Sequence, residues 1–162
     1  MIVLVMGVAG VGKTTLGAAL AARLGWRFID ADDFHPPQNV AKMQAGIPLE
    51  DADRWPWLAR LNKELKRAGD AVLACSALKA TYRERLAQGI AGFTVVYLHA
   101  GAPPIRERME KRRHRYMPAA LLESQFAALE PPAGALEIDV ALTPEECLTA
   151  ILARLPAPRA GR

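Results

Sequence analysis

Cysteine is scarce. Cys75 and Cys147 are the only two and lie far apart. That excludes a disulfide framework and a thiolate metal site, so reduced thiols and a cytoplasmic setting are expected. Long apolar runs are also missing: none approaches the ~18 residues needed to cross a bilayer, and no membrane association is expected. The opening run Ile2–Met6 has no basic residues ahead of it and leads into a glycine loop rather than a cleavage site. It reads as a buried strand and not as a signal peptide. Internal repeats and low-complexity tracts are absent.

What remains is the profile of one globular domain. The chain has 162 residues, 51% hydrophobic and 23% charged. A chain of this size buries roughly 70% of its unfolded surface and needs no structural metal or cross-link. The net charge of +4 suits a nucleic-acid partner or a small anionic substrate such as ATP, depending on where the basic residues fall.

Five short apolar or β-branched runs, Ile2–Met6, Arg27–Asp30, Ala71–Cys75, Phe93–Leu98 and Leu136–Val140, alternate with helical spacing. Helices are predicted over Lys13–Leu24, Trp57–Arg67, Ala80–Gln88, Pro104–Arg112, Ala119–Leu129 and Glu145–Arg154. Several of the strand runs are apolar almost throughout, as parallel strands covered on both faces are. The pattern predicts an α/β fold with right-handed crossovers. Two connections are long, from Asp32 to about Trp57 and from Arg112 to about Pro132. Long excursions in a compact domain commonly carry lids and binding loops. The expected domain spans 1–154, and the tail 155–162, poor in apolar anchors, is expected to be disordered.

Gly7-Val8-Ala9-Gly10-Val11-Gly12-Lys13-Thr14 fits G-x-x-x-x-G-K-[ST] at every fixed position, between a predicted strand and a predicted helix. The glycines let backbone N–H groups turn inward on phosphate, and the helix N-terminus favours anionic charge. These residues and Thr15 form the expected ATP-binding set, with Lys13 reaching the β- and γ-phosphates and the Thr14 hydroxyl on Mg²⁺. A GTPase would need a guanine-reading N-K-x-D. The nearest stretch, Asn62-Lys63-Glu64-Leu65, lacks the aspartate and sits in a predicted helix, and no D-x-x-G switch occurs. The third strand ends at Ala74-Cys75-Ser76, without the acidic residue of a motor ATPase. A compact kinase fits best.

Phosphoryl transfer needs a group that orients the attacking hydroxyl and takes its proton, and carboxylates also hold Mg²⁺. The second strand ends in Asp30-Ala-Asp32-Asp33-Phe-His35-Pro36, at the edge of the sheet where ligands bind. Asp32 is assigned both duties, Asp30 an outer-shell place near Mg²⁺, and Asp33 the cap of the next helix.

At this point the motifs resemble those of the short P-loop gluconate kinases, relatives of shikimate and nucleoside-monophosphate kinases. The stretches that carry the resemblance are the P-loop, D-x-D-x-x-H-P from Asp30, N-x-x-K-M-x-x-G-x-P-L-x-D-x-D-R-x-P-W-L from Asn39, C-S-A-L-K-x-x-Y-R from Cys75 and L-x-x-Q-F-x-x-L-E-x-P from Leu122. They span residue 7 to about 132. The resemblance implies an NMP-kinase-like three-layer α/β/α fold with a five-stranded parallel sheet of order 2-3-1-4-5 and a helical lid at about 106–130. It also implies ATP and gluconate as substrates with Mg²⁺.

Gluconate carries a carboxylate at one end and the reacting hydroxyl at the other. Arg54, Lys79 and Arg83 are candidates for the carboxylate, and Asp32, His35 and Ser76 for hydroxyls. Lys79 and Arg83 are four apart and could equally lie on a solvated helix face, and His35 could simply fix the turn before Pro36. Trp55, Trp57 and Tyr82 read as packing anchors. Arg108 and Arg112 share a helix face by their spacing. The resemblance implies that they neutralise charge on the transferring phosphoryl group, alongside Lys13 and Asp32 as the catalytic set. Arg113-His114-Arg115-Tyr116 departs from the family pattern, its histidine displaced by one, so His114 and Arg115 are left out. The basic run lacks the aromatic interleaving of a nucleic-acid site, and no such partner is expected. The loop Asp139–Pro144 is expected by resemblance to line the adenine pocket. A homodimer is left open.

Overall fold

The computed structural model describes residues 1–100, 107 and 122–157. Strands β1 (Ile2–Met6), β2 (Arg27–Asp30), β3 (Ala71–Ala74), β4 (Phe93–His99) and β5 (Leu136–Asp139) form one parallel sheet in the order β2-β3-β1-β4-β5. Around it lie α1 (Lys13–Leu24), α2 (Pro37–Gln44), α3 (Asp51–Ala68), α4 (Ala80–Ala87), α5 (Leu122–Ala128) and α6 (Pro144–Arg154). The predicted sheet order and all five strands are present, to within one residue at each end.

The central strand explains why its sequence shows no alternation. Val3 and Val5 enter the core cluster that also holds Leu16 and Leu20 of α1 and Cys147, Leu148 and Ile151 of α6. Ile2, Leu4 and Met6 enter the opposite cluster, with Leu58, Leu61 and Leu65 of α3 and Tyr82 and Leu86 of α4. Helices cover both faces, so every residue of β1 is buried and must be apolar.

Between Asp32 and Trp57 the chain holds more helix than its residue spacing predicts. That connection contains a 3₁₀ turn at Ala31–Phe34 and the whole of α2, and α3 begins at Asp51, six residues before the expected Trp57. Prolines hid these helices. Pro37 occupies the first turn of α2, where a missing N–H costs nothing. Pro56 lies inside α3 and forfeits one helical hydrogen bond. A capping box offsets that loss: Asp53 accepts the Glu50 N–H at 2.9 Å while the Glu50 side chain caps Asp53. Burial of Trp57 and Leu58 adds to it. The carboxylate that caps the 3₁₀ turn is Asp30, which accepts the Asp32 N–H at 3.0 Å; Asp33 lies within that turn.

Further on, the predicted helix Pro104–Arg112 lies outside the described residues apart from Glu107, as does the start of Ala119–Leu129, whose remainder forms α5. Most of the expected lid lies outside them too. At the C-terminus, Leu155 packs against the core, and 158–162 lie outside the described residues. Among the described residues, no helix is long and apolar enough to cross a membrane.

Candidate active site

The parallel register brings the carboxyl ends of three strands level: Val5 of β1 and Asp30 of β2 both pair with Ala74 of β3. The residues that follow, Gly7, Asp32 and Ser76, therefore emerge along one edge, where an open α/β sheet binds its ligands. β3 separates β1 from β2, yet the two loops meet, because the Thr14 hydroxyl donates to Asp30 at 3.2 Å.

The loop from Gly7 to Gly12 has the backbone that its glycines permit. At Gly7 φ is +152°, and a Cβ there would stand 2.6 Å from the Leu98 carbonyl oxygen. Gly12 has φ 105° and is the N-cap of α1. Val8, Ala9 and Val11 are buried, which fixes the loop against the core. Lys13 extends over this loop, its Nζ donating to the Val8 carbonyl at 2.9 Å. Burial holds the ammonium below the usual lysine pKa, against the pull of Asp32 and Asp30. Thr14 and Thr15 are exposed on the first turn of α1.

The 3₁₀ turn that carries Asp32 is fixed from below. Trp57 donates its indole N–H to the Ala31 carbonyl at 2.8 Å and stacks on His35 with centroids 4.0 Å apart. His35 Nδ1 lies 3.3 Å from the Asn39 amide, and Nε2 faces Asp32 Oδ1 at 3.8 Å. Burial, helped by the Arg54 charge, lowers the His35 pKa to about 4. The ring is therefore neutral at physiological pH, with Nδ1 accepting from Asn39 and an N–H directed at Asp32. Asn39 is itself buried and also donates to the Asp53 carbonyl at 3.0 Å.

Arg54 lies at the centre of the acceptor side. Its guanidinium donates to the Leu49 carbonyl at 2.6 Å and to the Tyr82 hydroxyl at 3.3 Å, 5.2 Å above the Tyr82 ring. Tyr82 donates to Asp51, which also accepts from Lys79 at 3.2 Å. The Asp51 carboxyl is held below its usual pKa first by Tyr82 and then by Lys79, whereas burial and Asp51 raise that of Tyr82. Asp53 belongs to the frame: Lys42 binds it at 2.9 Å, and that pairing, with the Glu50 N–H, lowers its pKa.

Arg83 has different partners from Lys79. It donates to the carbonyls of Ala77 at 2.8 Å, Leu78 at 3.0 Å and Glu130 at 3.0 Å. Those bonds hold the turn after β3, where Ala77 takes φ 44°, a left-handed conformation rare for a residue with a Cβ. Ser76 is half-buried in the same turn, and Cys75 beneath it has its thiol pushed up to about 12 by burial, so it is no nucleophile.

The structure thus gathers Lys13, Thr14, Asp32, His35, Arg54, Ser76 and Lys79 at the ends of β1, β2 and β3 or on the helices that follow. Arg83 is tied to backbone instead. Arg108 and Arg112 lie outside the described residues. Trp57 and Tyr82 are packing anchors as read, but each also holds a polar group in place, while Trp55 is 39% exposed, edge-on to Tyr82. Asn39, Asp51, Gln125 and Glu130 received no role from the sequence, although all four fall inside the quoted motifs. A signal was available for Gln125, a polar residue at a core-facing position of a predicted helix; Asn39 had none, because α2 was not predicted.

A phosphate-binding loop on a sheet of this order, with carboxylates at the tip of β2, places the chain among the P-loop kinases. A family model described as an AAA domain matches residues 2–132. The chain is 48% identical over 132 residues to the gluconokinase of Gluconobacter oxydans (strain 621H), covering 79% of this chain and 74% of that one. It is 43% identical over 162 residues to the thermosensitive gluconokinase of Escherichia coli (strain K12), covering 93% and 87%. The crystal structure of a gluconokinase from Sinorhizobium meliloti 1021 superposes with a TM-score of 0.86 at 42% identity, covering 93% of this chain and 89% of that one. The chain belongs to the gluconokinase family.

Proposed function

We propose that this protein transfers the γ-phosphoryl group of ATP to the terminal hydroxyl of gluconate, giving ADP and 6-phosphogluconate. Family membership supports the reading, and the observation that carries it is the meeting of two half-sites. Lys13 on the phosphate loop lies within reach of the Asp32 charge, and the acceptor side carries the Arg54–Tyr82–Lys79 cluster, which already holds one carboxylate, that of Asp51. The hydroxyl oxygen attacks the γ-phosphorus as the bond to the β,γ-bridging oxygen breaks, and Asp32 takes the proton. His35, neutral at physiological pH, has its Nε2 3.8 Å from Asp32 Oδ1, beyond hydrogen-bond reach, and so keeps an N–H for a substrate hydroxyl. Arg54 and Lys79 bind the sugar-acid carboxylate, with Ser76 at a hydroxyl, and Arg83 shapes the turn that presents Ser76. Arg108 and Arg112 supply charge to the transferring group, as the family resemblance implies.

Mg²⁺ fits the donor set. A hydroxyl and two carboxylates, Thr14, Asp30 and Asp32, offer hard oxygen ligands near the phosphates. Among the described residues no group of three or more His, Cys, Asp or Glu forms a metal cage. An Mg²⁺ ion at a kinase site is ordinarily held by one or two carboxylates together with nucleotide phosphates and water. When bound, it neutralises phosphate charge. The exposed Leu142, in the loop after β5, supplies apolar surface for the adenine. Two buried free thiols agree with a cytoplasmic enzyme.

The test is an ATP-consumption assay with gluconate, shikimate and nucleoside monophosphates side by side. Turnover with gluconate alone is expected; turnover only with shikimate or a nucleotide overturns the substrate assignment. Salt-sensitive RNA or DNA binding without sugar-acid turnover would point instead to a nucleotide-dependent nucleic-acid-binding protein.

A further inference from the structure

A buried side-chain bond ties the phosphate loop to a part of the chain 116 residues away. Gln125 of α5, only 7% exposed, accepts the backbone N–H of Ala9 through Oε1 at 2.6 Å. Ala9 is itself buried, so its N–H has no water to turn to, and a buried donor is costly to leave unpaired. Just beyond α5, Glu130 is joined to the other half-site three times. Its carboxylate accepts the Ala80 N–H at 2.5 Å, its own N–H donates to the Leu78 carbonyl at 2.8 Å, and its carbonyl accepts from Arg83. Between these anchors Leu129 packs against both core clusters. The same short segment therefore grips the loop that holds nucleotide phosphates and the strained Ala77 turn beside the acceptor.

We propose that residues 125–130 form a strap that couples the nucleotide half-site to the acceptor half-site, with Gln125 and Glu130 as positioning residues at its two ends. The identity of the two ligands rests on the function proposed above. A ligand that settles the phosphate loop also settles Gln125, and through Glu130 the turn at Ala77–Arg83. Such coupling is reciprocal by thermodynamic necessity.

Calorimetric titration of the full chain tests this, using the Mg²⁺ complex of a non-hydrolysable ATP analogue and gluconate, each alone and each with the other saturating. The wild type is expected to bind each ligand about fivefold or more tightly when the other is present. Gln125→Met keeps the side-chain volume but removes the acceptor, and should bring that factor close to one. Glu130→Ala should do the same from the far end. A purely structural defect lowers the melting temperature or both affinities and leaves the factor intact, and that result overturns the proposal. So does a wild-type factor of one.

If gluconate fails to bind the wild type, the substrate reading falls and the strap is judged on nucleotide alone. Glu130→Ala, remote from the phosphate loop, must then weaken the analogue several-fold, and unchanged affinity overturns the strap.

Discussion

The donor and acceptor sides of this site are built in opposite ways. The donor side is one continuous stretch from Gly7 to Thr15, whose chemistry is mostly main-chain N–H groups and one lysine. Its shape comes from glycine φ values and from burial of Val8, Ala9 and Val11. The acceptor side draws on the stretches around Asp32, Arg54, Lys79 and Glu130, and each of its cations has protein partners: Arg54 the Tyr82 hydroxyl, Lys79 the Asp51 carboxylate, Arg83 three carbonyls. A backbone cradle suits a phosphate tail common to many enzymes, whereas side chains on separate elements can be exchanged to suit one acceptor. The difference locates generality in the loop and specificity in the network.

Substitutions on the two sides should separate accordingly. The largest effect is expected from Lys13→Ala, which removes the side-chain charge on the donor side. The value of kcat should fall by about 10³-fold with the melting temperature nearly unchanged, read by steady-state kinetics and thermal denaturation. Asp32→Asn, at the junction of the two sides, should lower kcat by roughly 10²-fold while ATP affinity holds. A near-normal kcat would remove Asp32 from proton transfer. Arg54→Lys keeps the charge but loses the planar fork, so KM for gluconate should rise about tenfold with KM for ATP steady. A parallel rise in both would erase the distinction between the sides.

The smallest effect on turnover at neutral pH belongs to the protonation of His35. Its pKa is about 4 when folded, against 6.5 in the unfolded chain. Between those values the unfolded state binds the extra proton, so the stability contributed by the neutral ring is whole above pH 6.5 and is lost as pH falls toward 4. The loss amounts to about 3 kcal/mol. Denaturant titrations at several pH values should show this slope in the wild type and a flatter one in His35→Gln. Equal slopes would mean that the histidine ionises freely in the folded protein.

Which parts were legible beforehand follows the same division. The phosphate loop was readable residue by residue because its function needs contiguous residues at fixed spacing. Strands β1 and β3 were readable because burial on both faces leaves an unbroken apolar run, as in Ile2–Met6. The edge strands β2 and β5 are partly exposed and carry charged residues, and were readable from their place in the alternation with helices. Helix α2 and the start of α3 were not, because Pro37, Pro56 and Gly46 carry local signals of a break, and the capping box and the burial of Trp57 outweigh them only in the folded chain. Arg83 was a candidate for the carboxylate because of its charge, and its spacing from Lys79 equally suited a solvated helix face. Spacing does not say that the carbonyls of Ala77, Leu78 and Glu130 would stand within reach.

By itself the sequence determined the class of the protein: a nest of glycines ahead of Lys13, on a strand that must be covered on both sides, admits few other readings. Only the tertiary structure decided who pairs with whom. It set Asp51 against Tyr82 and Lys79, neutral His35 against Asp32, and Gln125 against the Ala9 N–H across 116 residues of chain. The reason is physical. Local backbone conformation is encoded in neighbouring residues, whereas a side-chain hydrogen bond depends on distances that exist only after the sheet and its helices have closed around one core.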